Sequence, residues 1–210
     1  MIKQITLCFN HAVRVRKLGL DRPGIRFEPG YNVLIGPNGS GKSTVLAALA
    51  SCPLCHLEKS SDADAVKYVT TETLNPLIGG YFSTREEMVQ GIRSMFKSHG
   101  QGVLDSLGRQ SHGTETVVLI DSPETGQDHE NSEYIHQGLL QMAKRYQVIV
   151  ATNSLVFMRG GNLIDLGRQS LRRLVASTEK MLAEFDASGQ KASLKHRTDP
   201  LRAWDNTGWA

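Results

Sequence analysis

The chain has 210 residues, of which 40% are hydrophobic and 21% charged, and a net charge of +3. That length buries one substantial core and excludes a large two-domain enzyme; the composition excludes a disordered chain, and no uncharged apolar run is long enough to make a transmembrane helix. The small positive charge implies no polyanion partner, and its local clusters, at Arg14, Arg16 and Lys17 and at Arg168, Arg172 and Arg173, read as solvated faces.

From the N-terminus, Met1 to Leu7 alternates like a strand and lacks the charged start, apolar stretch and cleavage site of a secretory signal, which points to a cytoplasmic protein without membrane insertion. Strands are expected at Ile2 to Phe9, Gly24 to Glu28 and Tyr31 to Ile35, with turns at Arg22-Pro23-Gly24 and Glu28-Pro29-Gly30. Residues 42 to 50 are good helix formers and should stop before Pro53. A strand is expected at Ala65 to Thr70 and a helix at Thr84 to Met95, the surrounding residues forming a lobe apart from the central sheet.

Thr116 to Ile120 is a short, β-branched, apolar run that ends in Asp121, as a strand buried on both faces of a parallel sheet reads. A helical spacing follows over Tyr134 to Arg145, then a buried strand over Gln147 to Ala151 and an amphipathic helix over Arg168 to Phe185. Strands alternating with helices indicate an α/β fold with a mostly parallel central sheet. Residues 189 to 210 are polar and basic, with Trp204 and Trp209, and are expected to form a flexible tail.

Between the third strand and the first long helix stands Gly36-Pro37-Asn38-Gly39-Ser40-Gly41-Lys42-Ser43, a match to the phosphate-binding pattern G-x-x-x-x-G-K-[ST]. Its glycines let successive N–H groups point at phosphate oxygens, and the helix that follows adds its positive end. Lys42 would reach the β- and γ-phosphates, Ser43 would place its hydroxyl on Mg²⁺, and Thr44 offers a hydroxyl toward the α-phosphate. Asp121, at the end of an apolar strand, is the expected carboxylate that partners Ser43 around the Mg²⁺.

The run Gly-Pro-Asn-Gly-Ser-Gly-Lys-Ser-Thr resembles the form used by ABC and SMC-like ATPases. Ile120-Asp121-Ser122-Pro123-Glu124-Thr125-Gly126-Gln127-Asp128 resembles their Walker B and D-loop run, and Val148 to Ser154 their switch strand. Lys97-Ser98-His99-Gly100-Gln101-Gly102 is similar to their signature motif; the rival triplet Ser111-His112-Gly113 lies too close to Asp121 to leave room for a helix and a strand. The resemblance spans residues 31 to 156, and with the chain's length it gives the expectation of one ATP-binding P-loop domain over residues 1 to 210, with an inserted helical lobe at about 55 to 107 that carries the signature. It also implies that Ser98, Gly100 and Gln101 cap the nucleotide held by a second chain, giving a homodimer closed by two ATP–Mg²⁺.

Two departures from the family pattern bear on catalysis. Ser122 stands where the family carries a Glu that polarises the attacking water, and Asn153 stands where it carries a switch His. A hydroxyl is no base near neutral pH and an amide carries no charge. Either hydrolysis is slow and ATP acts as a clamp, or Glu124 serves as the base, or a partner completes the site. A hydrolysis-deficient ATP-sensing scaffold that binds a partner protein or nucleic acid is the alternative to an ATPase switch; a transporter ATP-binding subunit is the third reading, weakened by the short lobe. No glutamine occupies the Q-loop position, where Glu72 or Asn75 are the candidates, Glu72 also as a metal ligand. Arg14, Arg16 and Tyr31 are equal candidates for stacking on the base.

Three cysteines, an odd number, argue against a disulfide framework. Cys52-Pro53-Leu54-Cys55-His56 matches C-x-x-C-H and offers half a zinc site that lacks a further ligand, with His99, His112 or a second subunit to supply it. The preferred reading is two reduced thiols at the end of the P-loop helix.

Overall fold

A computed structural model of the chain describes residues 1–16, 24–60, 65–70 and 116–188. The chain divides into one unit over Met1–Leu171 and a second over Arg172–Ala210. The first unit holds two sheets: a five-stranded parallel sheet in the order β5-β6-β7-β3-β8 and a three-stranded antiparallel one in the order β2-β1-β4.

The parallel sheet is built from β3 (Tyr31–Ile35), β5 (Ala65–Val69), β6 (Thr116–Asp121), β7 (Gln147–Ala151) and β8 (Asn162–Asp165). Hydropathy assigns each strand its place. All five residues of β3 and of β7 are buried, as are Val117 to Ile120 of β6, and these three strands occupy the interior of the sheet, covered on both faces. The edge strands β5 and β8 carry Lys67, Asn162 and Asp165 instead, polar residues that an edge tolerates and a centre does not. Strand β8 shows no continuous apolar run, which is why its sequence gives no strand signal.

The antiparallel sheet comprises β1 (Ile2–Thr6), β2 (Gly24–Arg26) and β4 (His56–Lys59). β1 ends three residues short of the expected strand, and Phe9–Arg16 forms a helix, α1. No element is expected there from the sequence, but Cys8, Ala12 and Val15, which lie against the core, recur at helical spacing, and the helix opens with Ala12 N–H donating to the Cys8 carbonyl at 2.8 Å. Strands β4 and β5 also shorten the expected lobe, since 56–59 and 65–69 belong to the two sheets; residues 71–107, including the helix expected at Thr84 to Met95, lie outside the described residues.

Helix α2 (Lys42–Ser51) buries Val45, Leu46, Ala48 and Leu49, and these join Ile2 and Ile5 of β1, Val15 of α1, Leu34, Val117, Leu119, Ile149 and Ala151 in one core cluster. Burial of each such aliphatic side chain contributes roughly 1.5–3 kcal/mol, so the P-loop helix is anchored along its length. Helix α3 (His129–Met142) starts earlier than its apolar spacing suggests because Asp128 caps it, accepting from Asn131 N–H at 2.7 Å. Helix α4 (Ser170–Ser188) begins after Arg168 and Gln169, which take positive φ of 50° and 58°; the Asp165 carboxylate accepts from Gly167 N–H at 2.8 Å and Ser170 N–H at 2.6 Å. From Arg172 onward α4 makes up the described part of the second unit, and none of its residues is buried. The expected tail, with Trp204 and Trp209, lies outside the described residues.

One buried side chain ties the two sheets together. Gln147, 1% exposed, accepts from Ile2 N–H at 2.7 Å and donates to the carbonyls of Ile2 at 2.8 Å and Glu28 at 3.1 Å. Leucine there would fill the same volume and strand the Ile2 amide and carbonyl without partners. Gln147→Leu is expected to lower unfolding free energy by about 2–4 kcal/mol, read as a lower urea midpoint; a loss under about 1 kcal/mol would mean that these groups find other partners.

Candidate functional site

Three loops leave the carboxyl ends of the three interior strands side by side, the place where open α/β sheets bind ligands. The register sets this. Leu34 of β3 and Asp121 of β6 both pair with Ala151 of β7, and Ser122 N–H donates to the Ala151 carbonyl at 2.9 Å while Thr152 N–H donates to the Leu34 carbonyl at 3.2 Å. The loop after β3, the turn after Asp121 and the turn after Ala151 therefore open onto one hollow of about 370 Å³. It is lined by Arg14, Asn38 to Thr44, Ser122 and Asn153.

The glycine loop takes its shape from backbone angles that side chains resist. Gly36 has φ 154°, and a Cβ there would stand 2.5 Å from Ser40 Oγ. Gly41, with φ 92°, is the N-cap of α2 and offers no side-chain cap, so the first N–H groups of the helix keep no competing side-chain acceptor there. Within the loop Ser40 Oγ is buried without a hydrogen-bond partner, an orphaned polar atom of the kind that marks a ligand-binding cradle.

Lys42, 7% exposed, folds its ammonium over this loop, donating to the carbonyls of Gly36 at 2.7 Å and Pro37 at 3.2 Å and to Asn153 Oδ1 at 2.8 Å. Burial draws the Lys42 ammonium below its ordinary range, and the nearby carboxylates of Glu124 and Asp121 pull it back up. The cradle thus holds a positive charge against two carboxylates. On the far side Asn153 Nδ2 donates to Asn38 Oδ1 at 2.6 Å, so the residue at the switch position bridges the two ends of the loop.

Asp121 accepts from Tyr68 OH at 3.2 Å on one oxygen and from Ser122 Oγ–H at 3.2 Å on the other. Ser122 itself sits at φ 53°, a left-handed conformation that costs a side-chain-bearing residue roughly 1 kcal/mol. Glu124 Oε2 accepts from Thr152 Oγ1–H at 2.8 Å and Oε1 from Asn153 N–H at 2.9 Å. Both of its oxygens position the switch turn.

The structure brings together Gly36 to Thr44, Asp121, Ser122, Glu124 and Asn153. Ser98, Gly100, Gln101, Glu72 and Asn75 lie outside the described residues. Of the three candidates for base stacking, Arg14 lines the hollow, whereas Tyr31 is buried in β3 with its hydroxyl donating to the Phe157 carbonyl at 2.9 Å; Arg16 is not among the described lining residues. The arrival of Arg14 depends on α1, a helix that stands where no element is expected from the sequence.

A strand, a glycine loop closed by a buried lysine, and a helix, with an aspartate at the end of β6, one strand removed from β3 in the sheet, define a P-loop ATPase domain. The AAA domain family matches residues 15–195, and the chain belongs to that family. Among solved structures it is similar to the SMC head domain from Thermotoga maritima, at 16% identity and a TM-score of 0.50, covering 78% of this chain and 94% of that one. It is similar also to a nucleotide-free ATP-binding cassette from an ABC transporter, at 15% identity and a TM-score of 0.50, covering 73% of this chain and 87% of that one. Both likenesses are of fold. No helix among the described residues is long and apolar enough to cross a membrane.

Proposed function

We propose that the chain is an ATP-driven switch that closes into a homodimer around two ATP–Mg²⁺ and hydrolyses them slowly. The observation that carries this reading is the cradle itself, with Lys42 held over Gly36 and Pro37 and Asn153 bridging Lys42 to Asn38. The triphosphate lies along the N–H groups of residues 38 to 44, with Lys42 on its β- and γ-phosphates. Mg²⁺ suits the donors present: Ser43 and Asp121 offer hard oxygens, and each Asp121 oxygen, having accepted one hydrogen bond, keeps a further lone pair. Magnesium supplies charge neutralisation on the phosphate oxygens when bound. Arg14, at the rim, faces the nucleotide.

Slow turnover is supported by the two groups beside Asp121. Ser122 cannot take a proton from water near neutral pH, and the Glu124 carboxylate is engaged by Thr152 and Asn153. The same observation favours a second reading, in which ATP holds two chains together without hydrolysis and the assembly acts as a scaffold for a partner protein or nucleic acid. Dimer closure rests on the resemblance of Lys97 to Gly102 to the signature motif.

Sedimentation with and without ATP and Mg²⁺, followed by phosphate release on the same sample, tests both readings. A shift from monomer to dimer on adding ATP–Mg²⁺ is expected, with slow phosphate release. A monomer in both conditions overturns the sandwich, and a dimer that releases no phosphate above the Lys42→Ala background transfers the reading to the scaffold.

A further inference from the structure

All three cysteines of the chain and one histidine meet at a single point well away in sequence from the Walker B and switch turns. Cys8 lies between β1 and α1, His11 in the first turn of α1, Cys52 at the end of α2, and Cys55 just before β4. Their ligating atoms, three Sγ and one imidazole nitrogen, all lie within 4.8 Å of one another. We propose that Cys8, His11, Cys52 and Cys55 form a structural zinc site that clamps α1 to the end of the P-loop helix.

The geometry is that of a tetrahedron around one ion. Zinc bonds of about 2.3 Å to sulfur and 2.0–2.1 Å to nitrogen give tetrahedral edges of about 3.8 Å between sulfurs and about 3.6 Å between sulfur and nitrogen. Here Cys8 Sγ and Cys52 Sγ stand 4.0 Å apart, and His11 Nδ1 stands 3.3 Å from Cys8 Sγ and 3.4 Å from Cys55 Sγ. The widest pair, at most 4.8 Å, needs to close by only about 1 Å. A cage this small surrounds a single ion and leaves no room for a multi-iron cluster.

The donor set selects the metal. Three thiolates and one imidazole in four-fold array suit zinc, with no open position for water, which marks a structural and not a catalytic site. The spacing is that of two short ligand pairs, Cys8-x-x-His11 and Cys52-x-x-Cys55. Backbone N–H groups already turn toward the sulfurs, that of Cys8 donating to Cys55 Sγ at 3.3 Å, as outer hydrogen bonds do around metal thiolates. A disulfide would use two of the three sulfurs and leave the third and the imidazole idle, whereas one zinc ion engages all four groups. His56, which completes the sequence pattern C-x-x-C-H, is exposed on β4 and takes no part.

The position gives the ion work to do. It joins three chain segments: the β1–α1 junction, the last turn of α2 and the approach to β4. His11 and Arg14 are three residues apart on α1, so fixing His11 also fixes the helix that presents Arg14 to the nucleotide hollow. The site stands whether or not the chain hydrolyses ATP.

The test uses the untagged full chain, expressed in zinc-containing medium and dialysed against metal-free buffer with a thiol reductant. Elemental analysis is expected to find about one zinc per chain, falling below about 0.2 in Cys8→Ser, Cys52→Ser and His11→Ala. Should a variant prove insoluble, cobalt decides on the wild-type chain: after chelation, one equivalent of Co²⁺ is expected to give the intense visible bands of tetrahedral thiolate coordination, and His11→Cys is expected to keep the metal with shifted bands. Wild-type protein with less than about 0.2 zinc per chain and no tetrahedral cobalt spectrum overturns the site. So does a Cys52–Cys55 or Cys8–Cys52 disulfide found by mass spectrometry in freshly purified, unreduced protein.

Discussion

Lys42→Ala is expected to weaken ATP binding by at least about 100-fold, the equivalent of roughly 3 kcal/mol. The ammonium has no substitute among the described residues that line the hollow, since Arg14 stands on α1 at the rim and every other lining residue is neutral. Its three hydrogen bonds, to Gly36, Pro37 and Asn153, hold the loop in the curl that directs N–H groups inward, so the substitution removes a charge and loosens the cradle together. The fold should survive, because the α2 residues that enter the core cluster, Val45, Leu46, Ala48 and Leu49, are untouched. Titration with a fluorescent ATP analogue, beside a thermal melt without nucleotide, separates the two effects. Affinity within threefold of wild type with an unchanged melt would remove Lys42 from the phosphate site.

How much of this was legible beforehand depends on whether a local pattern carried the information. The cradle was, because its function resides in backbone angles that only glycines supply, at Gly36 and Gly41, and in a lysine at a fixed offset. The interior strands were, because burial on both faces writes itself as a continuous apolar run in Val33–Ile35, Val117–Ile120 and Val148–Ala151. Helix α1 was not: no element is expected between Phe9 and Gly24, and what decides for helix is the packing of Cys8, Ala12 and Val15 on a core that forms from distant segments. Without α1, Arg14 is indistinguishable from Arg16 and Tyr31, and nothing brings Cys8 and His11 beside the Cys52 and Cys55 pair, for which two reduced thiols is the preferred reading. The signal was present, since Cys8-x-x-His11 repeats the spacing of Cys52-x-x-Cys55; counting cysteines for disulfide parity passed over it. The hydrogen bonds of Glu124 to Thr152 and Asn153 were not legible either, because they arise from strand register and leave no mark in the residues around it.

Ser122→Glu is expected to raise phosphate release on the order of 100-fold, with ATP affinity changed little. Ser122 lines the nucleotide hollow directly after Asp121, where a carboxylate has reach to a water near the outermost phosphate, and a positioned general base contributes 10²–10⁴-fold in rate. Two costs oppose this. The substitution removes the Ser122 Oγ–H bond to Asp121 Oδ1 at 3.2 Å, which frees that oxygen toward the metal, and it adds a negative charge near Asp121, which bound Mg²⁺ offsets. The backbone imposes no further penalty, since φ 53° is as unfavourable for serine as for glutamate and the Ser122 N–H bond to the Ala151 carbonyl is independent of side chain. Single-turnover phosphate release from wild type, Ser122→Glu, and Ser122→Glu combined with Lys42→Ala gives the comparison, the double variant returning to background. If Ser122→Glu binds ATP and dimerises yet releases phosphate no faster than wild type, a missing carboxylate is not what limits hydrolysis. The slow-ATPase account then gives way to the scaffold, in which the Ser122 hydroxyl and the Glu124 carboxylate serve to hold Asp121 and the switch turn in place around an uncut nucleotide.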